Sequence, residues 1–219
     1  MTPANASAPG RLLAVTVGLA VLASCSGGSG SVITTTTTTA TNTAPVTVGF
    51  GALGPSGGYA NGIWTSVTVC VPGSTTSCQT IPDVLVDTGS VGLRLLSSAL
   101  TVSLPNIEDS SGNVLQECIQ FADFSYIWGP LASARIEIAS SGETAAQVPG
   151  QATNSGVPIQ IIPVSPSAAV PSSCLSTAPS PGMTVDRNTL ESLGGNGVLG
   201  IGTFPQDCGG ACTTASVYQ

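Results

Sequence analysis

The stretch VLVDTGS, residues 84–90, places an acid and a glycine turn directly after a short apolar run. The run predicts a buried strand that ends at Asp87. A carboxylate at the end of a buried strand loses solvation unless hydrogen bonds satisfy it, and Gly89 lets the backbone turn back beneath it. We expect Ser90 and nearby backbone amides to hold the oxygens of Asp87. The alternative is a strand-terminating Asx turn, for which Asp-Thr-Gly is also suited.

Around this stretch, the chain from about residue 46 has short apolar or alternating runs separated by Gly, Pro, Ser and Asn. This pattern is typical of an all-β domain. One short helix is predicted near residues 188–193, where Asn188 can cap it, Glu191 stands as in a capping box and Gly194 can end it. The predicted strands are 46–50, 64–71, 84–86, 93–96, 119–124, 134–138, 159–164 and 198–201.

The N-terminal segment has the pattern of a secretory signal peptide. Arg11 precedes an apolar run over residues 12–23, which is too short for a typical membrane-spanning helix. The following motif LASC, residues 22–25, resembles the bacterial lipobox, which implies that Cys25 is acylated and becomes the new N-terminus. An ordinary signal peptide with an incidental cysteine is the alternative.

The predicted organisation follows from this motif. Residues 1–24 form a lipoprotein signal peptide. Residues 25–45 are the lipidated cysteine and a tether of Ser, Gly and Thr that cannot bury enough surface to order itself. We expect an exported protein anchored to the bacterial cell envelope. Ser26, where aspartate would resemble a retention signal, favours the outer membrane over the inner one.

Composition excludes several functions. The 219-residue chain has four basic and eleven acidic residues, a net charge of -7, and neither histidine nor lysine. Nucleic acid binding needs a basic face, so we expect no nucleic acid partner. Ser-His-Asp catalysis, histidine zinc sites and lysine nucleophiles each need a residue type that is missing. What remains is carboxylate chemistry, with or without a metal held by oxygen, or thiol redox chemistry. Of these, we expect carboxylate chemistry, with no metal and no cofactor.

Seven cysteines less Cys25 leave six, an even number that suits an exported protein. Sequence proximity favours three disulfides, although six cysteines allow 15 pairings. No Cys-x-x-Cys occurs, and we expect no basic neighbour to lower a thiol pKa, so structural disulfides are favoured over a redox-active pair. The favoured pairs are Cys70–Cys78, Cys208–Cys212 and, from the remainder, Cys118–Cys174.

The Asp87 segment resembles the catalytic loop of the pepsin-like aspartic peptidases, which reads apolar-apolar-Asp-Thr-Gly-Ser. The motif NGVLGIG, residues 196–202, is similar to the element that in that family passes beneath the catalytic loop and completes a psi-shaped motif. Residues 118–130 and 134–138 fall where the family has its flap hairpin and returning strand. The resemblance implies a disulfide-stapled, all-β pepsin-like lobe over residues 46–219, with a psi-loop, a barrel-like sheet and one short helix.

The resemblance also implies site residues. Arg94 departs from the family because it replaces the usual tryptophan that steadies a flap tyrosine, and Phe121 lacks the hydroxyl of that tyrosine. Core packing is the alternative for the flap aromatics, and a plain turn role is the alternative for Asp123. The implied residues are Asp87, Thr88, Gly89 and Ser90 for catalysis, Phe121, Asp123, Tyr126 and Trp128 for substrate binding by the flap, and Val198, Leu199 and Gly200 for psi-loop support.

A narrower resemblance joins the lipobox and the threonine-rich tether to the motifs QFAD, WGP and NGVLGIGTF. Together these resemble a family of bacterial lipoproteins that carry a pepsin-like domain of unknown function. The narrower resemblance implies a fold and a location but no substrate.

Aspartic peptidase chemistry needs two carboxylates that share one proton. The sequence supplies one Asp-Thr-Gly, so we expect either a truncated N-terminal lobe that lacks its C-terminal partner lobe or two copies of the chain that pair. One expected function is an envelope aspartic endopeptidase to which Asp87 contributes half of the dyad. The alternative is a non-catalytic surface lipoprotein that binds peptide or glycan in the same cleft. The expected partners are therefore that lobe or second copy, a peptide, and the membrane through the lipid.

Overall fold

The computed structural model of the protein describes residues 44–138, 146–147, 156–166, 168–175 and 185–203. Nine strands lie within these residues, with two short α-helices and two 3₁₀ turns at Gly51–Ser56 and Ser97–Ala99. The predicted all-β class is confirmed, since the fold is mostly β. The strands are β1 Thr47–Gly49, β2 Gly62–Cys70, β3 Cys78–Asp87, β4 Val91–Leu96, β5 Gln116–Gln120, β6 Tyr126–Ile138, β7 Ala146–Gln147, β8 Val157–Ile162 and β9 Gly197–Ile201, and the helices are α1 Ser172–Leu175 and α2 Leu190–Leu193.

Six strands form a closed barrel in the order β2, β3, β9, β4, β8 and β6, and β6 pairs back with β2. Side chains alternate between the two faces of each strand. On β4, Leu93 and Leu95 belong to the main apolar cluster, which also takes side chains from β2, β3, β6 and β8. Arg94 and Leu96 therefore point to the opposite face of the same strand.

A second apolar layer covers that opposite face. Leu96, Val198 and Leu193 pack there with side chains of the β5–β6 hairpin, among them Ile127 and Phe121. The hairpin and α2 thus lie against the outside of the barrel rather than extending into solvent. This packing places the hairpin tip next to the ends of β3 and β9.

Two of the predicted disulfides are present. Cys70–Cys78 joins residues that lie opposite each other in β2 and β3. Cys118–Cys174 joins β5 to α1. The predicted Cys208–Cys212 pair lies outside the described residues, as do the signal peptide, Cys25 and the tether up to residue 43.

The β5–β6 hairpin differs from the predicted strands. The strand predicted over 119–124 ends at Gln120, because the chain turns at Phe124, whose φ of 65° is left-handed, and the Phe124 N–H bonds to the Phe121 carbonyl. β6 begins at Tyr126 instead of residue 134. A Cβ at Gly129 would come within 2.1 Å of the Ile161 carbonyl, so this glycine serves close packing inside the strand.

The predicted helix forms as α2, with its cap one residue further on than expected. Thr189, not Asn188, is the N-cap, and its hydroxyl accepts a hydrogen bond from the Ser192 N–H. Ser192 therefore takes the capping-box position that Glu191 was expected to fill. Gly194 ends the helix in the left-handed conformation, as predicted.

Candidate functional site

Asp87 is the last residue of β3 and is half-buried. Its Oδ1 accepts a hydrogen bond at 2.9 Å from the Gly89 N–H, two residues on, so a backbone amide of the turn holds the carboxylate as expected. This bond is also the one that forms the Asx turn given above as the alternative. The expected hydrogen bond from Ser90 is wrong. Ser90 Oγ is buried and has no partner among the described residues. The Ser90 carbonyl accepts from the Gly202 N–H.

β9 lies between β3 and β4 and supports the Asp87 turn from below. It runs parallel to β3, with Gly200 opposite Asp87, and antiparallel to β4, with Gly200 opposite Gly92. A Cβ at Gly200 would come within 2.5 Å of the Ser90 carbonyl carbon and the Val91 nitrogen, so the turn rests directly on this glycine. Val198, Leu199 and Gly200 therefore lie on β9 opposite the last three residues of β3. Their assignment to a psi-loop stays a prediction.

A cavity of about 300 Å³ lies between the Asp87 turn and the tip of the β5–β6 hairpin. Its wall is mostly apolar, and its polar groups lie at the Asp87 turn and at the hairpin tip. A neighbouring cavity of about 260 Å³ shares Tyr59, Asp123 and Arg187 with it. The residues that line the first cavity are Tyr59, Leu85, Asp87, Phe121, Ala122, Asp123, Ser125, Arg187, Leu193 and Val198.

The hairpin tip is clamped by Arg187. One guanidinium nitrogen donates to Asp123 Oδ2 at 2.7 Å and the other donates to the Ser192 carbonyl of α2. Asp123 Oδ1 accepts from both the N–H and the hydroxyl of Ser125. The Ser125 hydroxyl, and then the Arg187 guanidinium, hold the pKa of Asp123 below its usual value. Asp123 thus holds the hairpin tip in place. This role agrees better with the alternative given above, a polar turn residue, than with substrate binding.

The flap aromatics divide into two groups. Phe121 lines the cavity, as expected of a flap residue. Tyr126 and Trp128 are buried and pack with Cys174 in a separate cluster, so the structure does not bring them to the cavity and favours the core alternative. Tyr126 also hydrogen-bonds to Asp186, whose pKa is raised by burial and partly lowered again by that hydrogen bond.

A buried ion pair lies at the base of the hairpin, at the position where the resemblance to the pepsin-like peptidases implied a tryptophan. Arg94 and Glu117 have side-chain exposures of 1% and 7%, and Arg94 Nη2 lies 3.9 Å from Glu117 Oε1. Arg94 Nη1 donates to the Val91 carbonyl at 2.8 Å, and Gln160 donates to the Glu117 carbonyl. The base of the hairpin is therefore joined to β4 and β8 by polar contacts instead of an indole ring.

Sequence reasoning missed three residues. Tyr59 and Arg187 line the cavity from segments to which no role was given. Arg135 lies beside the Cys70–Cys78 disulfide, so the expectation of no basic neighbour near a cysteine is wrong. The sequence offered one signal for the two arginines. The chain has only four arginines and no lysine, so each basic side chain was a candidate for a specific role.

The described residues contain no group of three side chains of the types that commonly bind metal. Among the same residues, none of the helices has the length and apolarity needed to cross a membrane.

The model of a family described as protein of unknown function (DUF3443) matches residues 38–219. No curated protein matches the chain.

Proposed function

The chain belongs to the family DUF3443, and we propose that it is one lobe of an aspartic endopeptidase of the bacterial cell envelope. The observation that carries the proposal is the position of Asp87. The carboxylate stands at the end of a barrel strand, rests on β9 and lines an apolar cavity beneath a hairpin tip. Catalytic carboxylates are commonly found in cavities of this kind.

The proposed chemistry assigns a role to each part of the turn. The Gly89 N–H orients the Asp87 carboxylate, which binds the attacking water together with a second carboxylate. The two acids share one proton, so that one acts as base while the other donates to the developing oxyanion. We assign the second acid to a C-terminal lobe or to a second copy of the chain, which the exposed Thr88 would contact.

The apolar cavity is the proposed site for a substrate side chain. Leu85, Leu193 and Val198 form its apolar wall with Phe121. Burial of a large apolar side chain of a peptide there would contribute about 1.5–3 kcal/mol. That binding energy would hold the neighbouring peptide bond near Asp87.

The proposed location is the outer membrane, with the protein anchored by a lipid on Cys25. Fatty-acid labelling of cells should mark the wild type and leave Cys25→Ser unlabelled. Equal labelling of the two would rule the anchor out.

A second candidate function is non-catalytic binding of peptide or glycan in the same cavity. The specific observation in its favour is the fixed hairpin. Arg187 clamps the tip and Cys118–Cys174 ties β5 to α1, whereas a catalytic flap has to open and close. Phe121 also lacks a hydroxyl with which to donate a hydrogen bond.

The deciding experiment measures cleavage of a mixed peptide library by the full-length natural protein across acid pH, with Asp87→Asn as the test variant. Asparagine is nearly isosteric but cannot act as a base, so cleavage should be lost while the fold is kept. Asp83→Asn is the matched control, because it lies on the same strand with a φ of 53°, which asparagine also adopts readily. Cleavage unaffected by Asp87→Asn would contradict the peptidase. Peptide binding without cleavage, dependent on Asp87, would support the second candidate.

A further inference from the structure

We propose that the Cys70–Cys78 disulfide is a thiol–disulfide exchange site whose leaving thiolate is stabilised by Arg135, and that its reaction partner is a dithiol reductant. This inference is independent of the proposed peptidase function.

The first support is the position of the Arg135 guanidinium. Its Nη2 lies 3.1 Å from Cys70 Sγ and 3.7 Å from Cys78 Sγ, and it also donates to the Ser74 carbonyl at 3.1 Å. The guanidinium is buried and therefore cannot easily turn away from the sulfurs. An adjacent cation lowers the pKa of a thiol, and a thiol of lower pKa is a better leaving group.

The second support is the unequal exposure of the two sulfur-bearing residues. Cys70 is 0% exposed, whereas Cys78 is partly exposed at the end of the turn over residues 71–77. We therefore assign Cys78, the more exposed residue of the pair, as the one whose sulfur is attacked. The sulfur that then leaves is that of Cys70, which is also the one closer to Arg135. The exposure of Cys78 and the position of Arg135 thus both favour attack on the Cys78 sulfur and departure of the Cys70 sulfur.

The reaction balances with a dithiol as the reductant. One thiolate of the dithiol forms a bond to Cys78 Sγ, the Cys70–Cys78 bond breaks, and Cys70 leaves as a thiolate beside Arg135. The second thiolate of the dithiol then attacks the mixed disulfide and releases Cys78. The dithiol loses two electrons and two protons and becomes a disulfide. The protein takes up both electrons and one proton, at Cys78, while Cys70 stays a thiolate beside Arg135 and the second proton goes to solvent.

The other disulfide has different surroundings. Cys118–Cys174 lies in an apolar cluster with Tyr126 and Trp128. Apolar surroundings raise the pKa of a thiol and slow its departure. It is therefore an internal reference for exchange in the same molecule.

Reduction would act on the seam that closes the barrel. Cys70 lies opposite Arg135 where β2 pairs with β6, and opposite Cys78 where β2 pairs with β3. Loss of the disulfide removes a covalent restraint from the place where β2 pairs with both β3 and β6. The freed Cys70 thiolate would also compete with Glu137 for Arg135, since Glu137 forms an ion pair with it.

The test treats the oxidised full-length chain with glutathione, whose adduct marks the first sulfur attacked, and separately with the dithiol dithiothreitol, which completes the reduction. Free thiols are trapped by alkylation and the products are mapped by mass spectrometry. We expect the first adduct on Cys78, and reduction of Cys70–Cys78 before Cys118–Cys174. A first adduct on Cys70, or earlier reduction of Cys118–Cys174, would overturn the proposal. This reading needs no variant, so it stands even where a substitution impairs folding.

Two substitutions test the role of the charge in opposite directions. Arg135→Gln should slow exchange about tenfold, because the leaving thiolate loses its cation. Glu137→Gln should accelerate it, because the guanidinium loses a competing anion. Arg187→Gln, an arginine at the hairpin tip, is the control and should leave the rate unchanged. Equal rates for Arg135→Gln and wild type, or a change in the same direction for both test variants, would overturn the role of Arg135.

Discussion

The buried ion pair between Arg94 and Glu117 predicts a large and asymmetric response to mutation. Arg94→Met keeps an unbranched side chain at the position but removes the guanidinium that faces the Glu117 carboxylate. Both side chains are almost fully buried, at 1% and 7% exposure. Removing one member of a buried pair costs about 3–5 kcal/mol, because the other charge stays in a medium of low polarity.

The double variant Arg94→Met with Glu117→Leu should be much more stable than Arg94→Met alone. Replacing both charges by apolar groups of similar size is often neutral, because two desolvation penalties disappear together with one attraction. The control is Arg187→Met, whose pair with Asp123 is 25% and 57% exposed. Solvent screens that pair, so the expected cost is under about 1 kcal/mol.

Urea unfolding followed by circular dichroism measures these differences in the free energy of unfolding. The urea concentration at the midpoint reports them when the dependence of that free energy on urea is the same for all variants. For a domain of this size, about 1 kcal/mol corresponds to a shift of about 2–4 °C in the melting temperature. Arg94→Met should therefore melt about 6–20 °C below the wild type. A loss below 1 kcal/mol, or a double variant as unstable as the sum of the two single variants, would refute the reasoning.

Three further predictions concern the site and its surroundings. Gly200→Ala should cost at least about 1–3 kcal/mol in urea unfolding, because the new methyl group meets the backbone of the Asp87 turn; wild-type stability would contradict the packing. Arg187→Gln should speed amide hydrogen exchange at residues 121–125, since the side chain clamps that turn; unchanged exchange would show that the clamp does not restrain the tip. Burial raises the pKa of Asp186, so between the ordinary value of 3.8 and the raised pKa the folded state binds more protons than the unfolded state. In that range this group makes stability fall as pH rises. In Asp186→Asn, the urea midpoint should depend less on pH in that range. An unchanged dependence would contradict the prediction.

Local chemistry explains what the sequence could predict. Alternating runs, turn residues and a glycine C-cap are set by neighbours in the chain, so the β class, the Asp87 turn and α2 were accessible to sequence reasoning. The error of one residue at the N-cap has the same origin. Asn188 and Thr189 can both cap a helix, and only the backbone conformation selects between them.

The missed features depend on residues that are distant in the chain. Arg135 reaches Cys70 across 65 residues, and Arg187 reaches Asp123 across 64. Strand register decides the first contact, because a shift of one residue between β2 and β6 would turn Arg135 to the other face. The second depends on the bridge between Tyr126 and Asp186, which brings Arg187 to the hairpin tip. No local pattern encodes that register, so the charges around the cavity and the disulfide became visible only in the folded chain.

The insertion of β9 between β3 and β4 also sets the order in which the protein can assemble. Over a hundred residues separate Gly200 from Asp87, its partner in the parallel pairing. Contacts between such distant segments form late, because a long loop must close before they are gained. During synthesis, β3 and β4 leave the ribosome well before the strand that joins them. The Asp87 turn is therefore expected to be among the last parts of the domain to become rigid, and the nascent chain carries two unpaired strand edges until that moment.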